Sequence, residues 1–282
     1  MLRPTRLETI DYLAIGHLTR DLTPTGARLG GSVAYAARTA QALGLRVGVL
    51  TAWGEELPLD ELDGITVVNI GAEASTSFEN VYSAEGRRQR VDSIAPTLDY
   101  YQIPEAWRSA PIVHLAPVAG EVSERMLSYL DAKLVCATPQ GWLRGWDAEG
   151  WVRASDWVVA EQALPQVDAA VISMEDVQAD EEQITQLALA APVLAVTDAA
   201  HGARVFAAGE EHIIEAPASE EVDPTGAGDI FAAAFFTRLH FGDTPLAAGR
   251  FATQVASLSV KRSGLASTPT PDELYDLMAE AL

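Results

Sequence analysis

The sequence lacks the features that mark secreted, disulfide-bonded and membrane-spanning proteins. Its 282 residues include a single cysteine, Cys136, so the chain can form no internal disulfide, and this cysteine content fits a reducing compartment. No apolar run approaches the ~20 residues that a membrane-spanning helix needs. The N-terminal residues lack the apolar core of a signal peptide. We therefore expect a soluble cytoplasmic protein without a membrane partner.

Positive charge is also scarce. The chain has 19 lysines and arginines against 40 aspartates and glutamates, which gives a formal net charge of −21 at pH 7. Such a surface disfavours nonspecific binding to nucleic acid, so we expect no nucleic-acid partner. An anionic ligand would have to be held by local backbone N–H groups and a few arginines, together with a divalent metal.

Short apolar segments alternate with helical patterns along most of the chain. Strands are predicted at residues 11–16, 46–51, 65–70, 112–115, 134–137, 169–173 and 194–197, and helices at 32–43, 123–130, 180–190, 227–241, 244–260 and 271–282. Hairpins are predicted at 76–91 and 203–216. Ser32 is the expected cap of the first helix. This alternation predicts an α/β layer architecture, and without a repeat or linker one domain is the simplest division.

The stretch 222–231 combines small residues with an acid at a predicted helix start. Gly226, Ala227 and Gly228 leave several backbone N–H groups available at the first turn, which can hold a phosphate without a lysine. Asp229 would repel that phosphate, which suggests that it takes a proton from a group attacking the phosphate. An aspartate that caps a helix after a turn is an equally open interpretation.

Other phosphate-binding loops do not match. A Walker A loop needs a lysine after its last glycine, and none follows here. A dinucleotide-binding fingerprint needs a third glycine where Phe231 stands. The protein-kinase motifs His-Arg-Asp and Asp-Phe-Gly are absent from the sequence.

Asp-Pro-Thr-Gly-Ala-Gly-Asp at 223–229, followed by Ile-Phe, resembles the C-terminal signature of the ribokinase-like (PfkB) carbohydrate and nucleoside kinases. Gly30 and Gly31, which open a helix before the strand at 46–51, provide a second match. The resemblance implies a three-layer α/β/α sandwich with a mostly parallel central sheet. It further implies a single kinase domain over residues 1–282.

The same resemblance implies accessory features. A small β-sheet lid would be contributed by residues 17–30 and 74–95, although an ordinary edge hairpin at 76–91 stays an alternative. The implied ligands are ATP, Mg²⁺ and, in similar kinases, K⁺. An exposed lid edge would also allow a homodimer.

The resemblance assigns further site residues, several of which depart from the family pattern. On the acceptor side they are Asp21, Gly30, Gly31 and Tyr35; on the nucleotide side Thr197, Gly202, Thr225 and Thr253; and for cations Glu175, Asp176 and Asp223. Tyr35 stands where a sugar-contacting asparagine is common. Ser173-Met-Glu-Asp176 replaces the usual Asn-x-x-Glu, and Asp223 could instead serve the turn before Pro224.

Two polar residues follow the strand at 134–137 directly. Gln140 could bind a substrate hydroxyl, and the planar guanidinium of Arg144 could steady a phosphate. With Tyr35, this loop favours a cyclitol such as myo-inositol, or another sugar, over ribose.

Three hypotheses for the function follow. The first is an ATP-dependent kinase acting on a hydroxyl of a sugar, cyclitol or nucleoside. The second is a catalytically silent regulator that binds a polyol or nucleotide, and the third is an unrelated nucleotide-binding protein.

Overall fold

The computed structural model describes residues 7–23, 26–54, 59–83 and 86–280 of the protein. Its strands are β1 (Tyr12–Ile15), β2 (Thr19–Thr23), β3 (Gly26–Gly30), β4 (Val47–Thr51), β5 (Thr66–Asn69), β6 (Thr76–Ser83), β7 (Gly86–Ser93), β8 (Ile112–Leu115), β9 (Leu134–Ala137), β10 (Arg144–Trp146), β11 (Val152–Ala154), β12 (Ala169–Ser173), β13 (Val193–Thr197), β14 (Ala203–Ala207) and β15 (Glu210–Ile214). Its α-helices are α1 (Ser32–Ala42), α2 (Ala160–Ala163), α3 (Glu181–Ala190), α4 (Ala227–His240), α5 (Pro245–Ser259) and α6 (Pro271–Glu280).

The main sheet has nine strands within the described residues, in the order β15-β14-β13-β12-β9-β8-β1-β4-β5. The strands from β13 to β5 pair in parallel, and β14 and β15 add an antiparallel edge. The carboxyl ends of the parallel strands therefore meet at one edge, which is where ligands bind in open α/β sheets.

Both faces of this sheet are covered, because its strands alternate between two apolar cores. Ala14 and Val49 face a core that α1, α4 and α5 complete, whereas Leu13 and Leu50 face a second core that includes the fully buried Trp107. The result is the expected α/β/α sandwich with a mostly parallel sheet, so the predicted fold class is confirmed. No helix in the described ranges is both long and apolar enough to cross a membrane.

A second, four-stranded sheet has the order β3-β2-β6-β7. It includes the hairpin predicted at 76–91, whose turn at 84–85 lies outside the described residues. The residue pattern did not predict β2 and β3, which lie in the range 17–30 that the resemblance implied for a lid sheet, and Asp21, expected in a loop, lies within β2. This segment was missed because its Thr/Pro/Gly-rich composition is typical of a loop, whereas pairing with β6 makes it a strand.

Two local expectations also need correction. Ser32 does not cap α1: Gly31 holds the N-cap position, and Ser32 begins the helix. The segment predicted as a helix at 123–130 forms a 3₁₀ helix, Glu124–Tyr129. By contrast, Thr244 caps α5 as expected, because its hydroxyl accepts a hydrogen bond from the Ala247 amide.

Glu121 joins the loops that follow β1 and β8. Its carboxylate is 2% exposed and accepts hydrogen bonds from the amides of His17, at 2.9 Å, and Ala119, at 2.8 Å. The Val118 amide donates to the same carboxylate at 3.0 Å. A buried carboxylate is stable in such a setting only because several donors surround it.

Substituting Glu121→Ala leaves those buried amides without an acceptor. We expect the free energy of unfolding to fall by about 2–4 kcal/mol, since each unsatisfied buried donor carries its own desolvation cost. Urea unfolding measures this change. The exposed Glu149→Ala is the matched control and should stay within about 0.5 kcal/mol of wild type; equal stability of the two variants would contradict the assignment.

Candidate active site

A cleft of about 1020 Å³ opens along the carboxyl ends of β9, β12 and β13, between the second sheet and the N-terminus of α4. Most of the residues predicted to form the site line it. They are Asp21, Gly31, Tyr35, Gln140, Arg144, Glu175, Asp176, Thr197, Gly202, Thr225, Gly226, Ala227, Gly228, Asp229 and Thr253. Gly30 and Asp223, also predicted, are not among its lining residues.

The N-terminus of α4 is shaped by contact with α1. Gly226 caps α4 with φ 83°, a left-handed conformation that favours glycine. A Cβ atom at Gly226 would collide with the ring of Tyr35, which is 3% exposed. Tyr35, the residue that departs from the family pattern, therefore packs directly against the glycine-rich turn.

The backbone of this turn presents amide groups to the cleft. The Ala227 amide donates to the carbonyl oxygen of Pro224 at 3.1 Å and is therefore already engaged. In the described part of the chain, the amides of Gly226, Gly228 and Asp229 have no hydrogen-bond acceptor. The predicted anion-binding turn of 226–229 thus narrows to these three N–H groups, at the positive end of the helix dipole.

Asp229 is half-buried and lines the cleft. Burial raises the pKa of its carboxyl group to about 6, and the nearby Asp176 and Asp21 act in the same direction. A hydrogen bond from Ser32 and the charge of Arg144 oppose that shift of the pKa. A carboxylate with such a pKa can accept a proton near neutral pH.

Arg144 lies within an ion pair at the centre of the cleft. Its Nη2 is 3.9 Å from Oδ1 of Asp176, and the two side chains are 19% and 5% exposed. Nη1 of Arg144 donates to Oε1 of Gln89 at 3.4 Å. Oδ2 of Asp176 accepts from the Ser173 amide at 2.9 Å, so the carboxylate is held from two sides.

The acceptor side of the cleft is built around Asp21. Oδ1 of Asp21 accepts a hydrogen bond from the Thr19 hydroxyl at 2.8 Å. A Cβ at Gly30 would collide with the Asp21 carboxylate, so this glycine makes room for the aspartate instead of approaching a ligand. Gly31 has φ 94°, and a Cβ there would meet the His17 carbonyl oxygen.

The remaining predicted positions lie towards α5. Thr197 ends β13, and Thr253 is 4% exposed on α5, where its hydroxyl donates to the Gly249 carbonyl at 2.9 Å. Oδ1 of Asp223 accepts from the Thr225 amide at 3.0 Å. This hydrogen bond is the turn contact considered for Asp223 from the sequence, and the cation role of Asp223 stays a prediction.

The described residues contain no cluster of three or more histidine, cysteine or acidic side chains that could hold a metal by themselves. This fits Mg²⁺, which usually keeps several waters and binds through one or two carboxylates plus substrate phosphates. Glu175 and Asp176 are the acids that line the cleft beside β12 and could supply such a ligand. Asp223 lies outside the cleft lining and does not join them.

Sequence reasoning missed several residues of the cleft, namely Thr19, Ser32, Arg88, Gln89, Thr138 and Arg153. Arg88 and Gln89 come from β7, and Arg153 comes from β11. No local motif marks these residues, because segments distant in sequence bring them to the cleft only when they pack together.

A matched pair of glycine substitutions tests the shape of the α4 turn. Gly226→Ala places a Cβ against Tyr35 at positive φ, so we expect a loss of roughly 2 kcal/mol or more in unfolding free energy. At Gly228 no atom lies within 4 Å of an added Cβ, so Gly228→Ala should be as stable as wild type or slightly more so. Chemical denaturation compares them; a stable Gly226→Ala variant would contradict this packing.

Residues 157–273 match the family model described as pfkB family carbohydrate kinase. A cytidine kinase from Thermococcus kodakarensis is 26% identical over 251 residues, which cover 80% of this chain and 87% of that protein. A ribokinase from Bacillus subtilis is 42% identical over 94 residues, about a third of each chain (33% and 32%).

Solved structures agree with this fold. A pyrophosphate-dependent kinase in the ribokinase family has a TM-score of 0.80 at 24% identity, covering 95% of this chain and 99% of its own. Ribokinase of Arabidopsis thaliana, complexed with ribose and ATP, has a TM-score of 0.69 at 19% identity and covers 96% and 99% of the two chains. The family match and these relatives support a ribokinase-like PfkB carbohydrate kinase, a phosphotransferase with a hydroxyl acceptor, and the solved structures share its fold.

Proposed function

We propose that the protein transfers the γ-phosphoryl group of ATP to a hydroxyl of a small sugar, cyclitol or nucleoside. The observation that carries this proposal is Asp229, a carboxylate with a raised pKa that stands beside the unpaired amides of the α4 turn in one cleft. Asp21 lies in the same cleft and can bind two hydroxyl groups of a polyol.

In this mechanism Asp229 accepts the proton of the attacking hydroxyl. Ser32 donates a hydrogen bond to Asp229 and orients its carboxylate. Ser32 lies on α1, the helix that also carries Tyr35. A base whose pKa lies near the working pH is the most effective, because it is ionised yet still basic.

The developing negative charge on the transferring phosphoryl group needs preorganised donors. The amides of Gly226, Gly228 and Asp229 provide dipoles, and Arg144 provides a full positive charge close to Asp229. When bound, Mg²⁺ neutralises phosphate charge, with Glu175 and Asp176 as the candidate acids. One ribokinase-family structure of similar fold is complexed with ATP and Mg²⁺, at 18% identity.

The second sheet is proposed as a lid over the acceptor within a single domain of residues 1–282. Phe78 and Gln89 from this sheet line the cleft, so closing it would exclude water from the transfer. The edge strand β3 carries exposed backbone groups that could pair with a second copy. Sedimentation velocity would test that homodimer, and a purely monomeric protein would reject it.

A potassium site near Asp223 and Thr225 is also proposed. The amides of Val222 and Asp223 donate to the Val260 carbonyl at 2.8 Å and 3.0 Å, which brings this stretch against the 259–268 loop. Activity that is equal in K⁺ and in a large organic cation would reject the site.

Among acceptors we favour a cyclitol such as myo-inositol, or another sugar. Tyr35 closes the cleft with a flat ring where an amide is common in this family, and a ring can stack on a sugar face. A pyrophosphate-dependent kinase of similar fold was complexed with myo-inositol, at a TM-score of 0.78. Because relatives are named cytidine kinase and ribokinase, nucleosides and ribose belong in the panel of acceptors to be assayed with sugars and inositols.

A catalytically silent polyol- or nucleotide-binding regulator is the alternative. The change from Asn-x-x-Glu to Ser173-Met-Glu-Asp176 is the observation that favours it, because Asp176 is already paired with Arg144. Binding of a panel compound without any phosphorylated product would support this alternative and reject the kinase proposal.

The proposed base makes a specific pH dependence testable. Asp229 must be ionised, so kcat/KM should be constant above the pKa of about 6 and fall roughly tenfold per pH unit below it. Asp229→Asn should lower kcat by about 10²–10⁴-fold. A coupled assay over the sugar, inositol and nucleoside panel measures both. Exposed Asp131→Asn is the control; undiminished turnover by Asp229→Asn would reject the assignment.

Substitution of Arg144 tests the proposed phosphate contact. Arg144→Gln removes the positive charge but retains polarity, so kcat should fall by roughly 10²-fold or more with either donor, ATP or pyrophosphate. The exposed Arg125→Gln serves as the control and should match wild type. The donor that gives the higher wild-type kcat/KM identifies donor preference, and wild-type turnover with pyrophosphate alone would reject ATP as the donor.

A further inference from the structure

Three polar side chains form a buried hydrogen-bonded chain under the cleft. They are Tyr12 on β1, His114 on the neighbouring β8 and Thr138 directly after the next strand, β9. The Tyr12 hydroxyl lies 2.8 Å from Nδ1 of His114, and Nε2 of His114 lies 2.9 Å from Oγ1 of Thr138. Tyr12 and His114 are fully buried, whereas Thr138 is 5% exposed and lines the cleft. These hydrogen bonds therefore lead from the apolar core to the surface of the cleft.

His114 is neutral in this setting. Burial lowers the pKa of its imidazole to about 3, and its ring packs edge-on against Phe236, with the ring centroids 5.0 Å apart. A neutral imidazole has one nitrogen that donates and one that accepts. The donor-to-acceptor direction of the two hydrogen bonds of His114 therefore depends on which ring nitrogen carries the proton.

The hydrogen-bond partners of Tyr12 assign that direction. In the described residues its hydroxyl has no hydrogen-bond partner other than His114 Nδ1. If Nδ1 carried the proton, the buried Tyr12 hydroxyl proton would have no acceptor, which costs about 1–3 kcal/mol. The favourable arrangement has Tyr12 donating to Nδ1 and the Nε2–H group of His114 donating to Thr138, a tautomer assigned from the network.

This arrangement leaves the hydroxyl proton of Thr138 to be donated elsewhere. Oγ1 of Thr138 accepts from His114, and no described residue accepts the Thr138 proton. We propose that Thr138 donates a hydrogen bond to an oxygen of the acceptor substrate, and that Tyr12 and His114 are positioning residues that set this polarity. The inference rests on the proposed kinase function and adds a specificity-determining residue to it.

The position of Thr138 favours the acceptor over the phosphoryl donor. It directly follows β9, two residues before Gln140, next to the loop after β8 that includes Val118. The donor-side residues Thr197 and Thr253 lie beyond β12, on β13 and α5. A hydroxyl group with a single available proton selects an oxygen lone pair, and it would disfavour an ammonium group at that position of the substrate.

Steady-state kinetics with the best acceptor of the panel test the inference. Thr138→Val should raise the acceptor KM by roughly 3- to 10-fold and leave the donor KM unchanged. Thr138→Ser retains the hydroxyl and should restore KM to within about twofold. Thr237→Val removes a buried hydroxyl of α4 outside the cleft lining and is the matched control.

The possible outcomes separate this inference from the proposed function. An active wild type with unchanged acceptor KM in Thr138→Val, or a change confined to the donor KM, overturns the role of Thr138 and leaves the kinase intact. A wild type that phosphorylates nothing in the panel overturns the proposed function and this inference with it.

A spectroscopic measurement tests the buried chain without depending on a variant that folds. Nitrogen-15 NMR of histidine side chains in the wild type should show His114 with a protonated Nε2 and an unprotonated Nδ1 throughout pH 5–8. Tyr12→Phe removes the donor to Nδ1, so the Nδ1 resonance of the variant should move towards that of an unprotonated nitrogen without a hydrogen bond, while Nε2 stays protonated. A wild-type His114 with the proton on Nδ1 would overturn the proposed polarity.

Discussion

The contact between the Tyr35 ring and Gly226 is the constraint on which the site depends. It sets α1 against the first turn of α4, and only a glycine leaves room for the ring there. The residues of this turn line the cleft, and the amides of Gly226, Gly228 and Asp229 have no acceptor among the described residues. The same packing brings Ser32 to Asp229, so one helix–helix contact arranges both the anion-binding groups and the candidate base.

The lining of the cleft carries charges of both signs. The chain as a whole has a net charge of −21, and the cleft is lined by Arg88, Arg144 and Arg153 together with the acids Asp21, Glu175, Asp176, Asp198, Glu221 and Asp229. Arg144 offsets the repulsion that Asp176 and Asp21 exert on Asp229, which keeps the pKa of Asp229 from rising further. Because neither the surface nor the cleft is positive overall, a phosphate group in this cleft would depend on local donors, the arginines and the amide dipoles, for its attraction.

Sequence patterns predicted the secondary structure of the main sheet well, because each buried strand is a short apolar run bounded by turns. The segments 112–115, 134–137 and 169–173 coincide with observed strands. The pattern failed for β2, which pairs with the distant β6, and for the short β10, which pairs with β11. It also failed for Ser32, which contacts Asp229 across the α1–α4 interface and does not cap its own helix.

By itself, the sequence determined the α/β layering and the glycine-rich helix start, since both depend on interactions between residues close together in the chain. Tertiary structure alone decided which amides of the α4 turn lack an acceptor among the described residues, and that Gly30 makes room for Asp21. It also decided that Tyr12, His114 and Thr138 form one chain, although 102 positions separate the first two. Hydrogen bonds and desolvation act through space, so their sites emerge only when distant segments pack together.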